Sequence, residues 1–165
     1  MKSLDLSPLR ILVVENNRAM RSLLRTMLQG MGCQNIEDAT TGLNAYDMLS
    51  VGTFMPDLVI VSWELPVLNG IETVYAIRSS NELRLDVPII ITTEFPDDQK
   101  IAEARDGGVD EFLPKPLSNQ TLQRALASVV LLRRPFLRLP TFVGPDRRRA
   151  LLEDYDGPER RQNKE

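Results

Sequence analysis

The first 130 residues alternate between short apolar runs, typical of buried strands, and longer segments in which apolar residues recur at helical spacing. The apolar runs are RILVV (10–14), CQNIED (33–38), LVIV (58–61), VPIIIT (87–92) and VDEFLP (109–114). The helical patterns cover residues 18–29, 42–51, 69–80, 97–106 and 118–131. This alternation predicts an α/β fold, a doubly wound sheet of five parallel strands with helices on both faces.

The carboxyl ends of the predicted strands carry a small set of polar residues. In a sheet of this kind, ligands and reactions lie beyond the carboxyl ends of the strands. We therefore expect a functional site built from the residues that follow the first, third, fourth and fifth strands. These residues are Glu15, Asn16, Ser62, Thr92, Thr93 and Lys115.

Composition narrows the classes of function. The 165-residue chain is 42% apolar and 26% charged, as in ordinary soluble domains, and its apolar runs are too short to span a membrane. It begins without the apolar segment of a signal peptide, so we expect a cytoplasmic protein. The single cysteine, Cys33, excludes an internal disulfide. The lack of histidine argues against a zinc site and against Ser-His or Cys-His catalysis, so we expect a protein that is not an enzyme.

The last 35 residues differ from the rest in charge. Residues 1–130 hold 11 Lys and Arg against 17 Asp and Glu, whereas residues 131–165 hold 9 against 6. Eight of those nine basic residues are arginine, and Gly-Pro-Asp-Arg-Arg at 144–148 recurs as Gly-Pro-Glu-Arg-Arg at 157–161. The asymmetry predicts a globular domain at 8–131 and an extended arginine-rich C-terminal tail at 132–165.

The strand ends and their spacing resemble the receiver domain of bacterial response regulators, which has the flavodoxin-like fold of CheY. The resemblance covers about residues 8–131 and rests on ILVVEN, PDLVIVSWELPVLNG, PIIITT and GVDEFLPKP. It implies that Thr93 is the switch hydroxyl, that Phe112 is the aromatic switch position and that the bond between Lys115 and Pro116 is cis. It also implies a role in two-component signalling.

Two positions depart from the pattern of a receiver that accepts phosphate. The acidic pair after the first strand is Glu15-Asn16 here, and Ser62 stands at the phosphoacceptor aspartate. In the family those carboxylates hold Mg²⁺, and a serine forms no acyl phosphate. We therefore expect a pseudo-receiver, in which Glu15, Asn16, Ser62, Thr93 and Lys115 form a degenerate phosphorylation site with no resident metal.

The arginine-rich tail has three interpretations. It only aids solubility, or it binds nucleic acids or membranes through charge, or it recognises a guanine nucleotide. The tail has a net charge of +3, with six acidic residues among its basic ones. This is weak support for binding nucleic acids or membranes, and we expect no DNA binding. Arginine suits the third, because its planar group binds phosphate bidentately, reads the edge of guanine and stacks on a base.

Two acid-Arg-Arg units would suit a ligand with two guanines and two phosphates, which describes cyclic di-GMP. The chain is similar to CheY-like bacterial proteins in which an arginine-rich segment after the receiver binds cyclic di-GMP and steers the flagellar motor or attachment. The candidate ligand-binding residues are Arg133, Arg134, Arg138, Asp146, Arg147, Arg148, Arg149, Tyr155, Glu159, Arg160 and Arg161.

We predict that the tail is mobile until the ligand orders it, and that it then makes or masks a partner surface at about residues 97–131. The partner would be a signalling protein such as the flagellar motor switch or a histidine kinase. The alternative is a receiver that only binds proteins. Such a receiver would bind a histidine kinase or phosphotransfer protein without accepting phosphate and without nucleotide.

Overall fold

The computed structural model describes residues 4–80 and 86–147, which form one main sheet, five helices and a small hairpin. The parallel strands are β1 (Arg10–Val14), β2 (Asn35–Ala39), β3 (Leu58–Ser62), β4 (Ile89–Thr93) and β5 (Glu111–Pro114), in the order β2-β1-β3-β4-β5. The helices are α1 (Arg18–Gly30), α2 (Gly42–Val51), α3 (Gly70–Ser79), α4 (Asp98–Asp106) and α5 (Asn119–Leu131). The prediction of a doubly wound, five-stranded parallel sheet is confirmed.

The two faces of the sheet bury separate sets of apolar side chains. Every residue of β3 and β4 is buried, as expected for strands covered on both faces. Helices α1 and α5 cover one face, where Leu28 and Leu126 pack with Ile60 of β3. Helices α2, α3 and α4 cover the other face, where Ile71 packs with Val61. The central strands therefore hold their carboxyl ends in a rigid, fully packed setting.

Local signals in the sequence set where the helices begin. The Asn17 side chain accepts a hydrogen bond from the Met20 N–H and caps α1. Asn69 and Glu72 form a reciprocal capping box at the start of α3. Helix α1 therefore begins at Arg18, just beyond Glu15 and Asn16, and α3 begins beyond the loop that leaves β3.

The segment after α5 corrects the prediction for the first part of the tail. Residues 132–165 were expected to be extended and mobile, but β6 (Phe136–Leu139) and β7 (Phe142–Pro145) form an antiparallel hairpin. Phe142 and Asp146 are buried. The hairpin supplies the apolar anchors that the sequence analysis had not assigned to this segment.

The hairpin packs at the amino ends of β4 and β5, which is the end of the sheet opposite Ser62. Gly108, at φ +90°, lies against the hairpin so closely that a Cβ on Gly144 would sit 2.4 Å from the Gly108 Cα. Glycine at both positions lets the two backbones touch. At the other end of β5, the bond between Lys115 and Pro116 is cis, as the resemblance implies.

Residues 148–165 fall outside the described part of the chain. Six of the predicted ligand-binding residues are therefore not placed: Arg148, Arg149, Tyr155, Glu159, Arg160 and Arg161. Among the described helices, none has the length and apolar character needed to cross a membrane.

Candidate functional site

Ser62 lies in a buried polar cluster at the carboxyl ends of the strands. The Lys115 ammonium donates to Ser62 Oγ at 3.1 Å and to Glu15 Oε2 at 3.0 Å. The other Glu15 oxygen accepts from the Asn17 N–H at 2.9 Å. The side chains of Glu15 and Lys115 are 3% and 5% exposed, and Ser62 is 1% exposed. The buried ammonium is thus neutralised by Glu15 and makes its second hydrogen bond to the serine.

Asn16 and Thr92 do not join this cluster. The Asn16 amide donates to the carbonyl of Thr40 at 3.3 Å, and the side chain is exposed. The Thr92 hydroxyl is buried and has no hydrogen-bond partner among the described residues. The polar groups that meet at the strand ends are therefore Glu15, Ser62 and Lys115, and the Ser62 hydroxyl donates to Glu64 Oε2 at 3.5 Å.

Thr93 is tied to Glu64, a residue just beyond the end of β3. The Thr93 hydroxyl donates to Glu64 Oε1, and the Glu94 N–H approaches both carboxylate oxygens at 3.3 and 3.4 Å. Ammonium groups lie on two sides, because Lys100 Nζ and Lys115 Nζ are each 3.9 Å from this carboxylate. An internal anion thus occupies a position surrounded by donors from β3, β4, α4 and the end of β5.

The sequence offered one signal for Glu64, its place two residues after Ser62. The sequence analysis did not assign it a role in the site. Its partners follow from the fold, since Thr93 belongs to the neighbouring strand and Lys100 to α4. Only the folded sheet brings them together.

A second feature is an open groove of about 1040 Å³ along β5, between α4 and α5. It runs from Pro96 and Pro114 at the carboxyl end of the sheet to the arginines beside the hairpin. Pockets of this size accommodate small ligands. Its lining comprises Pro96, Ile101, Ala104, Arg105, Val109, Asp110, Glu111, Phe112, Pro114, Ser128, Val129, Leu132, Arg133, Arg134 and Arg147.

Three of the predicted ligand-binding arginines line this groove, and each contacts the receiver or the hairpin. Arg133 Nε donates to Asp110 Oδ1 at 3.0 Å. Arg134 donates to the carbonyls of Asp110 and Asp146, both at 2.9 Å. Arg147 Nη1 donates to Asp106 Oδ1 at 3.0 Å. The two remaining described candidates do not line the groove: Arg138 is exposed on β6, and Asp146 is buried just after β7, where its carbonyl accepts from Arg134.

Asp110 also holds a buried arginine that the sequence analysis did not single out. Arg78 Nη2 donates to Asp110 Oδ2 at 3.1 Å, and both side chains are 3% exposed. Arg78 further donates to the carbonyls of Val87 and Gly108. Burial lowers the pKa of Arg78 to about 10, and the Asp110 charge acts in the opposite direction. Asp110 also accepts from the Ile89 N–H at 2.9 Å, so it joins α3, β4 and the first tail arginine.

The sequence profile of the response regulator receiver domain matches residues 11–127. The chemotaxis protein CheY-3 of Vibrio cholerae is 31% identical over 121 residues, which cover 73% of this chain and 91% of that protein. The chemotaxis protein CheY of Pseudomonas aeruginosa is 30% identical over 121 residues, covering 73% of this chain and 95% of that protein.

Solved structures show the same architecture. The chemotaxis protein CheY4 of Vibrio cholerae superposes with a TM-score of 0.66 and 26% identity, covering 74% of this chain and 98% of that one. The receiver domain of a histidine kinase from Syntrophus aciditrophicus gives a TM-score of 0.63 and 25% identity, covering 80% of this chain and 98% of that one.

Proposed function

The chain belongs to the response regulator receiver domain family, and from that premise we propose that it signals without being phosphorylated. Its input is cyclic di-GMP, which is bound by the arginine-rich segment after α5. Its output is control of a protein partner, such as the flagellar motor switch or a histidine kinase. It acts by binding rather than by catalysis.

The geometry around Ser62 supports the loss of phosphorylation. Its hydroxyl accepts a hydrogen bond from Lys115 and donates to Glu64 Oε2 only at the long distance of 3.5 Å, and no histidine exists in the chain to act as its general base. The Glu64 carboxylate already lies among the donors of Thr93, Glu94 and Lys115, so an incoming phosphoryl group would meet a negative charge there. These features favour a site that is fixed in one arrangement.

The same geometry argues against a resident Mg²⁺. This ion favours near-octahedral oxygen ligands with one or two carboxylates. Glu15 is the one buried carboxylate of the cluster, and Lys115 neutralises it at 3.0 Å. Within the described residues, no group of three or more metal-binding side chains is assembled. The residues do not fit the ion, and the proposed mechanism needs none.

The observation that carries the ligand proposal is the groove along β5. Arg133, Arg134 and Arg147 were assigned to ligand from sequence alone, and all three line it together with Arg105 of α4. Guanidinium groups around a groove of about 1040 Å³ provide phosphate contacts and flat surfaces for bases. The second Gly-Pro-acid-Arg-Arg unit, at residues 157–161, would supply further contacts.

Ligand and partner would share one surface. The groove lies on α4, β5 and α5, at residues 97–131, where the sequence analysis placed the partner. Ile101, Leu131 and Leu132 expose 46%, 54% and 78% of their surface there. Apolar groups of this size on a signalling domain suit a protein partner. A ligand bound beside these apolar groups would change the surface that the partner contacts.

Calorimetric titration of the full-length protein with cyclic di-GMP tests the proposal, with GTP and cyclic GMP as controls. We expect specific binding at micromolar concentration or tighter, and loss of that binding in R147A/R148A. The matched control is R124A, which removes an exposed arginine of α5 outside the groove lining. Absence of binding by all three nucleotides would contradict the ligand assignment.

Phosphorylation is tested separately with a small-molecule phosphodonor such as acetyl phosphate in the presence of Mg²⁺. Intact-mass measurement should show no added phosphoryl group on the native protein. Three results together would support the alternative: no phosphoryl group is added, no nucleotide binds, and protein truncated after Arg147 captures a histidine kinase. The chain would then be a receiver that only binds proteins.

A further inference from the structure

We infer that Asp106 is an internal competitor of the ligand, because its carboxylate holds the arginine that the ligand's phosphate needs. The inference rests on the proposed function and concerns the regulation of that same site. Asp106 Oδ1 lies 3.0 Å from Arg147 Nη1 and 3.5 Å from Arg105 Nε. Both arginines line the groove. A carboxylate and a phosphate use the same guanidinium donors, so one excludes the other.

Asp110 and Asp106, the two acidic residues at this end of the groove, differ in how readily a ligand can displace them from their arginine partners. Asp110 is 3% exposed and holds Arg133 and Arg78, so breaking its pairs would leave charge buried. Asp106 and Arg147 are 52% and 46% exposed, and exposed pairs contribute little stability. The ligand would therefore displace Asp106 and leave Asp110 in place.

Arg133 provides a donor for the incoming group without having to leave Asp110. Its Nε is bonded to Asp110, whereas its Nη2 is buried and has no hydrogen-bond partner among the described residues. Burying a charged N–H group without an acceptor is costly, and a phosphate oxygen that displaced the atoms covering Nη2 would satisfy it. A ligand phosphate placed between Arg133 and Arg147 would gain both guanidinium groups.

Release of Arg147 would also loosen the attachment of the chain to α4. Arg147 is the last described residue, and its guanidinium packs 4.7 Å from the centre of the Phe142 ring as well as on Asp106. On ligand binding, Arg147 would exchange its contact with α4 for a contact with phosphate. Binding and the attachment to α4 are thus coupled, and weakening one strengthens the other.

The test compares full-length native protein, D106N and D98N by calorimetric titration with cyclic di-GMP. D98N removes the same charge from the first turn of the same helix, at a residue outside the groove lining. We expect D106N to bind about two- to fivefold more tightly, as the loss of one exposed competing ion pair implies. D98N should show less than half of that gain. In an R147A background, the gain from D106N should fall to the level of D98N.

The outcomes separate the two proposals. If native protein binds cyclic di-GMP and D106N binds it with the same affinity as native or D98N, the competition is refuted and the proposed function stands. If neither native protein nor D106N binds the dinucleotide, the proposed function fails and the competition fails with it. Inorganic phosphate serves as a further probe, and D106N should lower its half-saturating concentration by a similar factor.

Discussion

The Thr93 hydroxyl donates a hydrogen bond to the Glu64 carboxylate, so the end of β4 is tied to the loop that leaves β3. The Glu94 N–H and the ammonium groups of Lys100 and Lys115 surround the same carboxylate. Glu64 is part of the chain, so this anion stays in place regardless of any phosphodonor. Thr93, which the sequence analysis expected to be the switch hydroxyl, is therefore held by a partner within the chain.

Replacing Glu64 with alanine should leave these donors without an anion. We expect E64A to lower the free energy of unfolding by about 1–2 kcal/mol, because hydrogen bonds to a charged acceptor are lost at a partly exposed position. Added phosphate should then raise the melting temperature of E64A more than that of native protein, since an oxyanion can enter the vacated site.

The control for this experiment is E94A, which removes a neighbouring carboxylate that is 55% exposed. Its melting temperature should respond to phosphate as the native protein does. An equal response of E64A and native protein would show that Glu64 does not occupy an anion site.

The fold was largely predictable, because the buried strands carry unbroken apolar runs. Residues 58–61 and 89–91 are unbroken apolar runs, which are typical of a parallel strand buried on both faces. The hairpin was not predictable in the same way. Its strands have four residues each, and they are stabilised by contacts with Gly108 and Arg78, which are distant in sequence.

The candidate site was predictable only where it follows the strand ends. Ser62 and Lys115 are the first polar groups after apolar runs, so their place in a parallel sheet fixes their neighbourhood. The groove was not predictable, because it depends on how Arg133 and Arg147 turn toward Asp110 and Asp106. A row of arginines in a sequence does not specify which carboxylate each will meet.

Breaking the buried pair of Arg78 and Asp110 should be strongly destabilising. We expect D110A to lower the free energy of unfolding by about 3–5 kcal/mol, because it leaves Arg78 charged and buried without its partner. Urea denaturation followed by circular dichroism measures this. D106A removes an exposed partner of Arg147 and should cost at most about 1 kcal/mol. Similar losses of stability in both variants would contradict the assignment of Asp110 as the buried partner of Arg78.

Adding a methyl group at Gly144 should detach the hairpin from the receiver. In G144A the new Cβ would lie 2.4 Å from the Gly108 Cα, and backbone on both sides leaves little room for adjustment. We expect faster amide hydrogen exchange in residues 136–146, with β1 to β5 unaffected. In the control, G30A, the new Cβ meets nothing within 4 Å at the end of α1 and should not increase exchange. Unchanged protection of the hairpin in G144A would contradict the packing described here.

The buried thiol of Cys33 should make stability fall at alkaline pH. Its Sγ lies 3.5 Å from the Leu9 carbonyl, and burial raises the pKa of the thiol above its ordinary value. Above the ordinary thiol pKa, the unfolded chain loses this proton while the folded chain keeps it. The folded state then binds more protons, so the free energy of unfolding decreases as pH rises. Urea denaturation of native protein and C33A isolates the effect. It is carried out at pH 8 and pH 10, which lie on either side of about 8.5, the reference thiol pKa. Native protein should lose more stability than C33A over this interval, and parallel losses would refute the prediction.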